Sequence, residues 1–262
     1  MDSTNETAPQ KARVSAHTVL VDTYVNAAQR DGSAQPNYKG LAIHALPGLH
    51  DFIAAQVQLH CAPGGRALDL AAGSGAMSQR LCDLGYDVTA TDYVSGNFRL
   101  HGSIPFFQAD LNDNFSASRK EQFDFILAAE IIEHLENPRH FARQCFKALK
   151  PGGKLIVSTP NVDTVASILR FLREGCFEWF NEEHYRVDGH ISPLTQWQLG
   201  KCFTEAGFAT EWTGSFGDRA HGLRGSPRLM VLHWLLERLA TKDKVLRNQI
   251  FAAVLVKPLT SA

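Results

Sequence analysis

The chain has 262 residues, 44% of them apolar and 20% charged, ordinary values for a soluble globular protein. At roughly 150 residues per domain, that length fits one elaborated α/β domain. Twenty-six Lys and Arg against 27 Asp and Glu leave a formal charge of −1, which argues against both a strongly basic nucleic-acid binder and a polyanionic tail protein.

The start of the chain, Met1 to Lys11, is polar and has no apolar run of the kind a secretory signal needs. No apolar run approaches the roughly 20 residues of a membrane span. Five scattered cysteines, Cys61, Cys82, Cys145, Cys176 and Cys202, form no CxxC pair. A disulfide scaffold or zinc finger is therefore disfavoured, and a reducing, cytoplasmic setting is expected.

In chain order, residues 1–13 read as a disordered tail. Val19, Leu20, Tyr24, Ala27 and Ala28 fall near helical spacing, closed by Asp31-Gly32. A second helix is expected over Leu49–Leu59, stopped by Pro63-Gly64-Gly65. Short apolar strands then alternate with helices. The strands are Ala67–Leu70, Val88–Thr91, Phe106–Gln108, Phe123–Ala128 and Lys154–Ser158; the helices include Ala76–Leu84 and His140–Leu149. That alternation predicts βαβ units and a doubly wound parallel sheet. After Pro160 the rhythm breaks into an insert reaching Gly189, followed by a helix from about Pro193 to Ala206. Ala209–Gly214 and Ile250–Val256 read as two last strands, separated by a second insert, Ser215–Asn248.

The run Asp69-Leu70-Ala71-Ala72-Gly73-Ser74-Gly75 joins the first strand of this series to a helix. Glycines at such a turn let backbone approach a ligand and expose helix N-terminal amides. The third glycine of a dinucleotide fingerprint is replaced by Ser78, which weakens an NAD(P)-dependent oxidoreductase reading. Asp69 would also repel a pyrophosphate and favour a ligand carrying an ammonium and a sulfonium. Asp92, followed by Tyr93, ends the next strand where ribose hydroxyls bind, and Asp110-Leu111 ends the third. Each acid alone reads equally well as a solvated strand-end carboxylate. Three in succession, on the side where open α/β sheets bind ligands, point to a nucleoside site.

Together with Phe123-Asp124-Phe125-Ile126, Glu130–His134 and Leu149-Lys150-Pro151-Gly152-Gly153, these residues resemble class I S-adenosylmethionine-dependent methyltransferases. Within that class the resemblance is to the small-molecule branch that includes ubiquinone-biosynthesis O-methyltransferases. It spans about residues 45–215, with the strand at 250–257 consistent with it. It implies a Rossmann-like, seven-stranded, mostly parallel sheet with the last strand antiparallel, helical inserts, and one methyltransferase domain over 14–262. Asp69, Gly73 and Gly75 would hold the methionine end, Asp92 the ribose, and Asp110 with Leu111 the adenine. Tyr93, Glu130 and Ala71, which stands where the family has its first glycine, complete the expected cofactor contacts.

Glu130, Glu133 and His134 are spaced to share a face if they lie on one helical turn. The resemblance places them near the transferred methyl, where His134 would act as general base with Glu133 orienting it. The plain alternative is a polar turn that stabilises its own backbone. No metal is expected on the main reading. An alternative set, Glu130, Glu133, His134 and His190, is similar to the metal ligands of small-RNA 3′-end 2′-O-methyltransferases, although His190 also reads as lead-in to the helix near Pro193. The charge balance gives no RNA-binding footprint. A cofactor-binding partner subunit without turnover is the remaining rival.

The inserts Thr164–Gly189 and Ser215–Asn248 carry many apolar and aromatic residues beside Arg219, Arg224 and Arg228. They are expected to wall an acceptor pocket as lids. They would suit a large or lipid-linked acceptor and allow peripheral membrane contact, or simply pack on the core of a monomer or homodimer.

Overall fold

A computed structural model of the protein describes residues 36–239 and 247–259. The expected tail over 1–13 and the helix around Val19–Ala28 lie outside the described residues. The first described element is a hairpin, β1 (Asn37–Tyr38) and β2 (Leu41–Ala42). Its turn places Lys39 and Gly40 both at positive φ, the geometry of a two-residue turn matched to strand twist.

The next elements are α1 (Leu49–His60), β3 (Arg66–Leu70), α2 (Ala76–Asp83), β4 (Asp87–Asp92), β5 (Phe106–Gln108) and β6 (Phe123–Ala129). Then come α3 (Pro138–Ala148), β7 (Leu149–Pro160), α4 (Val165–Glu174), α5 (Glu182–Val187), α6 (Gln196–Ala206), β8 (Ala209–Phe216), α7 (Pro227–Leu239) and β9 (Ile250–Val256). The large sheet has seven strands in the order β5-β4-β3-β6-β7-β9-β8. The β3–β4, β3–β6, β4–β5 and β6–β7 pairings are parallel, and β9 runs antiparallel to both neighbours. The expected sheet is thus present, with its antiparallel last strand.

Helices cover both faces, as parallel strands require because neither face can meet water. On one face Phe141 and Cys145 of α3 and Leu199 and Phe203 of α6 pack over Leu68, Leu70 and Ile126. On the other, Leu49, Ile53 and Val57 of α1 and Met77 and Leu81 of α2 pack over Ala67, Phe125 and Leu127. Leu68 and Leu70 therefore face one layer and Ala67 the other. Asp69 shares the parity of Ala67 and points toward α2.

Helix boundaries differ from expectation where capping decides them. Asn137 accepts a hydrogen bond from His140 N and Pro138 opens α3, so that helix starts two residues before His140. Thr195 and Gln198 form a capping box, which delays α6 to Gln196, three residues past Pro193. Both are side-chain caps that satisfy otherwise unpaired first-turn amides.

Candidate functional site

The strand order reverses between β3 and β6, and at the carboxyl ends there opens a cavity of about 560 Å³. Ligands of open α/β sheets bind at such a switch point, and the volume lies in the range of small-molecule sites.

The β3–α2 loop forms its floor. Ala71 has φ 56° and Gly73 φ 54°, both left-handed. The methyl of Ala71 is tolerated there at a cost of about 1 kcal/mol. A Cβ on Gly73 would meet no protein atom within 4 Å, whereas one on Gly75 would lie 2.9 Å from both Leu100 Cδ1 and Phe98 Cε2. Gly73 lines the cavity and Gly75 does not. The two glycines therefore serve different ends, open space at the cavity for Gly73 and close packing against the segment between β4 and β5 for Gly75.

Asp92 ends β4 beneath this loop. Its Oδ2 accepts from Gly73 N at 2.8 Å and its Oδ1 from Val94 N at 2.9 Å. Burial raises its pKa, partly offset by these amides. With Tyr93 as a third backbone partner, the carboxylate keeps part of its roughly four lone-pair sites for a ligand hydroxyl. Tyr93, Asp110, Leu111 and Glu130 also line the cavity.

Asp69 does not line it. Its carboxylate accepts from Ser78 Oγ of α2 at 2.5 Å, and the residue is 3% exposed. The structure sets it as a buried brace under the glycine loop, behind the cavity lining where a ligand's methionine end was expected to meet it. Burial pushes its pKa up to about 7, with the Asp92 charge adding to the rise. The folded chain thus holds a proton that the unfolded chain loses near its ordinary value of 3.8. This contribution to stability is complete at acid pH and fades as pH rises toward 7. Asp69→Asn keeps a partner for Ser78 and removes the titration. Relative to the unchanged chain it is expected to be more stable at pH 8 by roughly 2 kcal/mol, the gain shrinking toward pH 4. Thermal melts of the two proteins across that range check this; parallel curves would refute the assignment.

The segment after β6 is not the helical turn assumed from spacing. Glu130 has φ 49° and precedes a short 3₁₀ turn, Ile132–His134. Its amide donates to Ser158 O, and Ser158 Oγ donates to Glu130 Oε1 at 2.7 Å. Burial lifts the Glu130 pKa to about 7. Bound to β7 in this way, Glu130 does not share a face with His134.

Glu133 and His134 are joined instead by His190. Glu133 O accepts from Ile191 N and Ser192 N at 3.0 and 2.9 Å, and Gly189 O accepts from His134 Nδ1 at 3.1 Å. This backbone lock draws residues 189–192 onto the turn and sets the His134 and His190 rings 4.9 Å apart. His190 is therefore a cavity residue rather than a mere lead-in to α6. His190 Nδ1 donates to Trp179 O at 2.8 Å, with Trp179 itself in the left-handed region at φ 66°. In the neutral His190 ring Nε2 is then the lone-pair nitrogen, while His134 is hydrogen-bonded to the Glu130 backbone as well as to Gly189.

One ligand atom from each of Glu133, His134 and His190 lies within 4.8 Å of the others. Glu133 is fully buried; Thr159 Oγ1 donates to its Oε2 at 3.0 Å, while Oε1 has no hydrogen-bond partner. His134 Nε2 lies 3.8 Å from this Oε1. Burial, and then the charge of Glu130, raise the Glu133 pKa well above the ordinary range. Burial lowers that of His134 to about 3 and also lowers that of His190.

The sequence reading missed part of the wall. Ile43 and His44, after the hairpin, line the cavity, held there because Ser74 Oγ donates to Ala42 O at 2.7 Å. Trp179 lines it too; the only advance signal was its place in an aromatic-rich insert.

Strand order, glycine floor and strand-end acids define a Rossmann-like α/β protein with a nucleoside-type cofactor cleft. The sequence pattern of the methyltransferase domain matches residues 38–211, and the chain belongs to that family. Ubiquinone biosynthesis O-methyltransferase of Xanthomonas campestris pv. campestris is 33% identical over 165 residues, covering 58% of this chain and 65% of the relative. The match thus spans just under two thirds of that relative's length. The protein of the same name from Xylella fastidiosa is 36% identical over 135 residues, 48% of this chain and 54% of the relative. Among solved structures, a SAM-dependent methyltransferase from Archaeoglobus fulgidus superposes with TM-score 0.56 at 16% identity, covering 79% of this chain and 94% of that one. The [4+2]-cyclase SpnF superposes with TM-score 0.59 at 17% identity, covering 93% and 95%. At those identities the likeness is one of fold.

Proposed function

We propose that the protein is an S-adenosylmethionine-dependent methyltransferase acting on an oxygen of a small or lipid-linked acceptor. The observation that carries this reading is the Gly73–Asp92 pair. A glycine whose missing Cβ leaves open space stands beside a strand-end carboxylate with lone pairs to spare. That arrangement fits a ribose laid against backbone. Asp110 with Leu111 suits an adenine edge and face, and the carboxylates of Asp92 and Asp110 beside the cavity suit a cationic ligand. Bound there, S-adenosylmethionine supplies a methyl electrophile for in-line displacement. This chain's own part is to align the acceptor, exclude water and take up the acceptor proton.

The two expected catalytic roles exchange places. His134, with its pKa lowered to about 3, is a weak base and acts as a positioning group anchored to Gly189. Glu133, with an unpartnered buried oxygen, is the better proton acceptor once a cationic ligand has displaced the proton that its raised pKa holds. Calorimetry with S-adenosylmethionine and S-adenosylhomocysteine tests the central claim, and absence of heat for both would overturn it. A methyl-transfer screen over catechols, sugar nucleotides, lipid precursors and short RNAs then identifies the acceptor.

A second reading is favoured by the proximity of Glu133, His134 and His190. Two neutral imidazoles and one carboxylate suit a borderline divalent ion. Each imidazole is fixed through Nδ1 by a backbone carbonyl, as ligating histidines commonly are. An ion held there would orient an acceptor oxygen and lower its pKa. Glu130, engaged with Ser158, stands outside this set. Titration of Mn²⁺ into the chelator-treated protein is expected to show one site that His190→Ala weakens about tenfold or more. No heat with the intact protein would remove the reading while leaving cofactor binding untouched.

A further inference from the structure

The first insert walls the cavity through Trp179, Val187 and Asp188, the second has no described residue in its lining, and together they present an unusual outer surface. Helices α4 and α7 pack against one another through Val165 and Leu169 on one side and Leu229 and Leu236 on the other. Their opposite faces are also apolar. On α4, Ile168, Phe171 and Leu172 are 45%, 45% and 74% exposed; spaced three and four apart, they form one outward stripe. On α7, Val231, Trp234 and Leu235 are 60%, 51% and 46% exposed with the same spacing. A soluble helix normally turns its apolar face inward and its polar face to water. These two bury one apolar face and expose another.

The charges around these stripes choose the occupant. Arg170 is neutralised by Glu174 and Glu178, and Arg247 by Glu237. Arg173, Arg228 and Arg238 remain exposed, and the Arg238 guanidinium lies over the Trp234 ring, 3.7 Å from its centroid. Apolar stripes bordered by arginines, with a Trp–Arg pair at the boundary, match the apolar-below, anionic-above profile of a bilayer interface. No described helix is long and apolar enough to cross a membrane, so contact would be in the plane of the surface.

We propose that the outer face of α4 and α7 docks on an anionic lipid bilayer. The first insert supplies part of the cavity wall and the second backs it: Trp179, which lines the cavity, stacks on His221 at 5.1 Å between ring centroids, interplanar angle 14°. Docking therefore sets that wall against the membrane, where an acceptor with an apolar tail resides. The surface chemistry alone carries the inference, which does not depend on methyl transfer.

The test is sedimentation of the full chain with large vesicles, made either of phosphatidylcholine alone or of equal parts phosphatidylcholine and phosphatidylglycerol. Binding to the anionic vesicles, weakened by salt, is expected, with little to the neutral ones. Replacing Leu172→Glu and Leu235→Glu together should weaken it about tenfold or more. Arg173→Gln, Arg228→Gln and Arg238→Gln should each weaken it about fivefold. These side chains are exposed, so unchanged melting curves verify the fold; if the glutamate pair fails that check, the arginine variants carry the test. Failure to bind anionic vesicles, or binding indifferent to every one of these changes, overturns the proposal. So does a dimer, seen by sedimentation velocity without vesicle binding, that the glutamate pair dissociates; the face would then be a contact between copies.

Discussion

Asp92→Ala is expected to weaken S-adenosylmethionine binding by about 100-fold or more. A hydrogen bond from a ligand hydroxyl to a charged acceptor contributes roughly 1.5–3 kcal/mol, loss of the loop's tie adds to that, and tenfold in affinity corresponds to about 1.4 kcal/mol. The variant also removes the acceptors of Gly73 N and Val94 N, so the cavity floor loses its tie to β4. Asp92→Asn separates the two effects. It keeps one acceptor oxygen in nearly the same place and should bind about tenfold more weakly than the unchanged protein. Calorimetric titration of all three proteins reads this directly. Equal affinity for Asp92→Ala and the unchanged chain would remove Asp92 from the ribose site.

Gly75→Val is expected to destabilise the fold by about 3–5 kcal/mol, because two penalties act at once. Gly75 sits at φ 93°, a region in which a β-branched residue is strained. Its added Cβ would also fall 2.9 Å from Phe98 Cε2 and Leu100 Cδ1. Phe98 cannot yield easily, being buried and stacked on Phe106 at 4.8 Å between ring centroids. The melting temperature should fall by about 10 °C or more. Gly73→Ala, where a Cβ meets nothing, should cost only about 1 kcal/mol in stability while weakening the ligand. A thermal shift larger for Gly73→Ala than for Gly75→Val would reverse the division of labour between the two glycines.

The parts of the molecule legible in the sequence are those where geometry or burial dictates residue type. Left-handed backbone and close approach call for Gly73 and Gly75, and strands covered on both faces are written as apolar runs such as Phe123–Ala129. The strand-end acids Asp92 and Asp110 were legible because strand ends fix them at the cleft. The position of Asp69 under α2 follows from parity: between Leu68 and Leu70, it must face the layer opposite theirs. His190 was harder to place. What brings it to Glu133 and His134 is main-chain hydrogen bonding from Ile191 and Ser192, which leaves no residue-specific trace. The hairpin at Asn37–Ala42 is too short for alternation to register, and Glu130 was assigned to a helical turn because spacing cannot reveal a left-handed residue that interrupts it.

The position of β9 between β7 and β8 bears on the order in which the chain can fold during synthesis. Within the sheet β8 hydrogen-bonds only to β9, and β7 has β9 as its second neighbour. Until residues 250–256 have left the ribosome, the block from β3 to β7 ends in an open edge and β8 has no partner in the sheet. An open edge is a template for pairing with another chain, and such exposure during folding promotes aggregation. The nascent protein must therefore wait for its last strand, and a chain stopped before β9 would keep its glycine loop and strand-end acids while leaving its sheet unclosed.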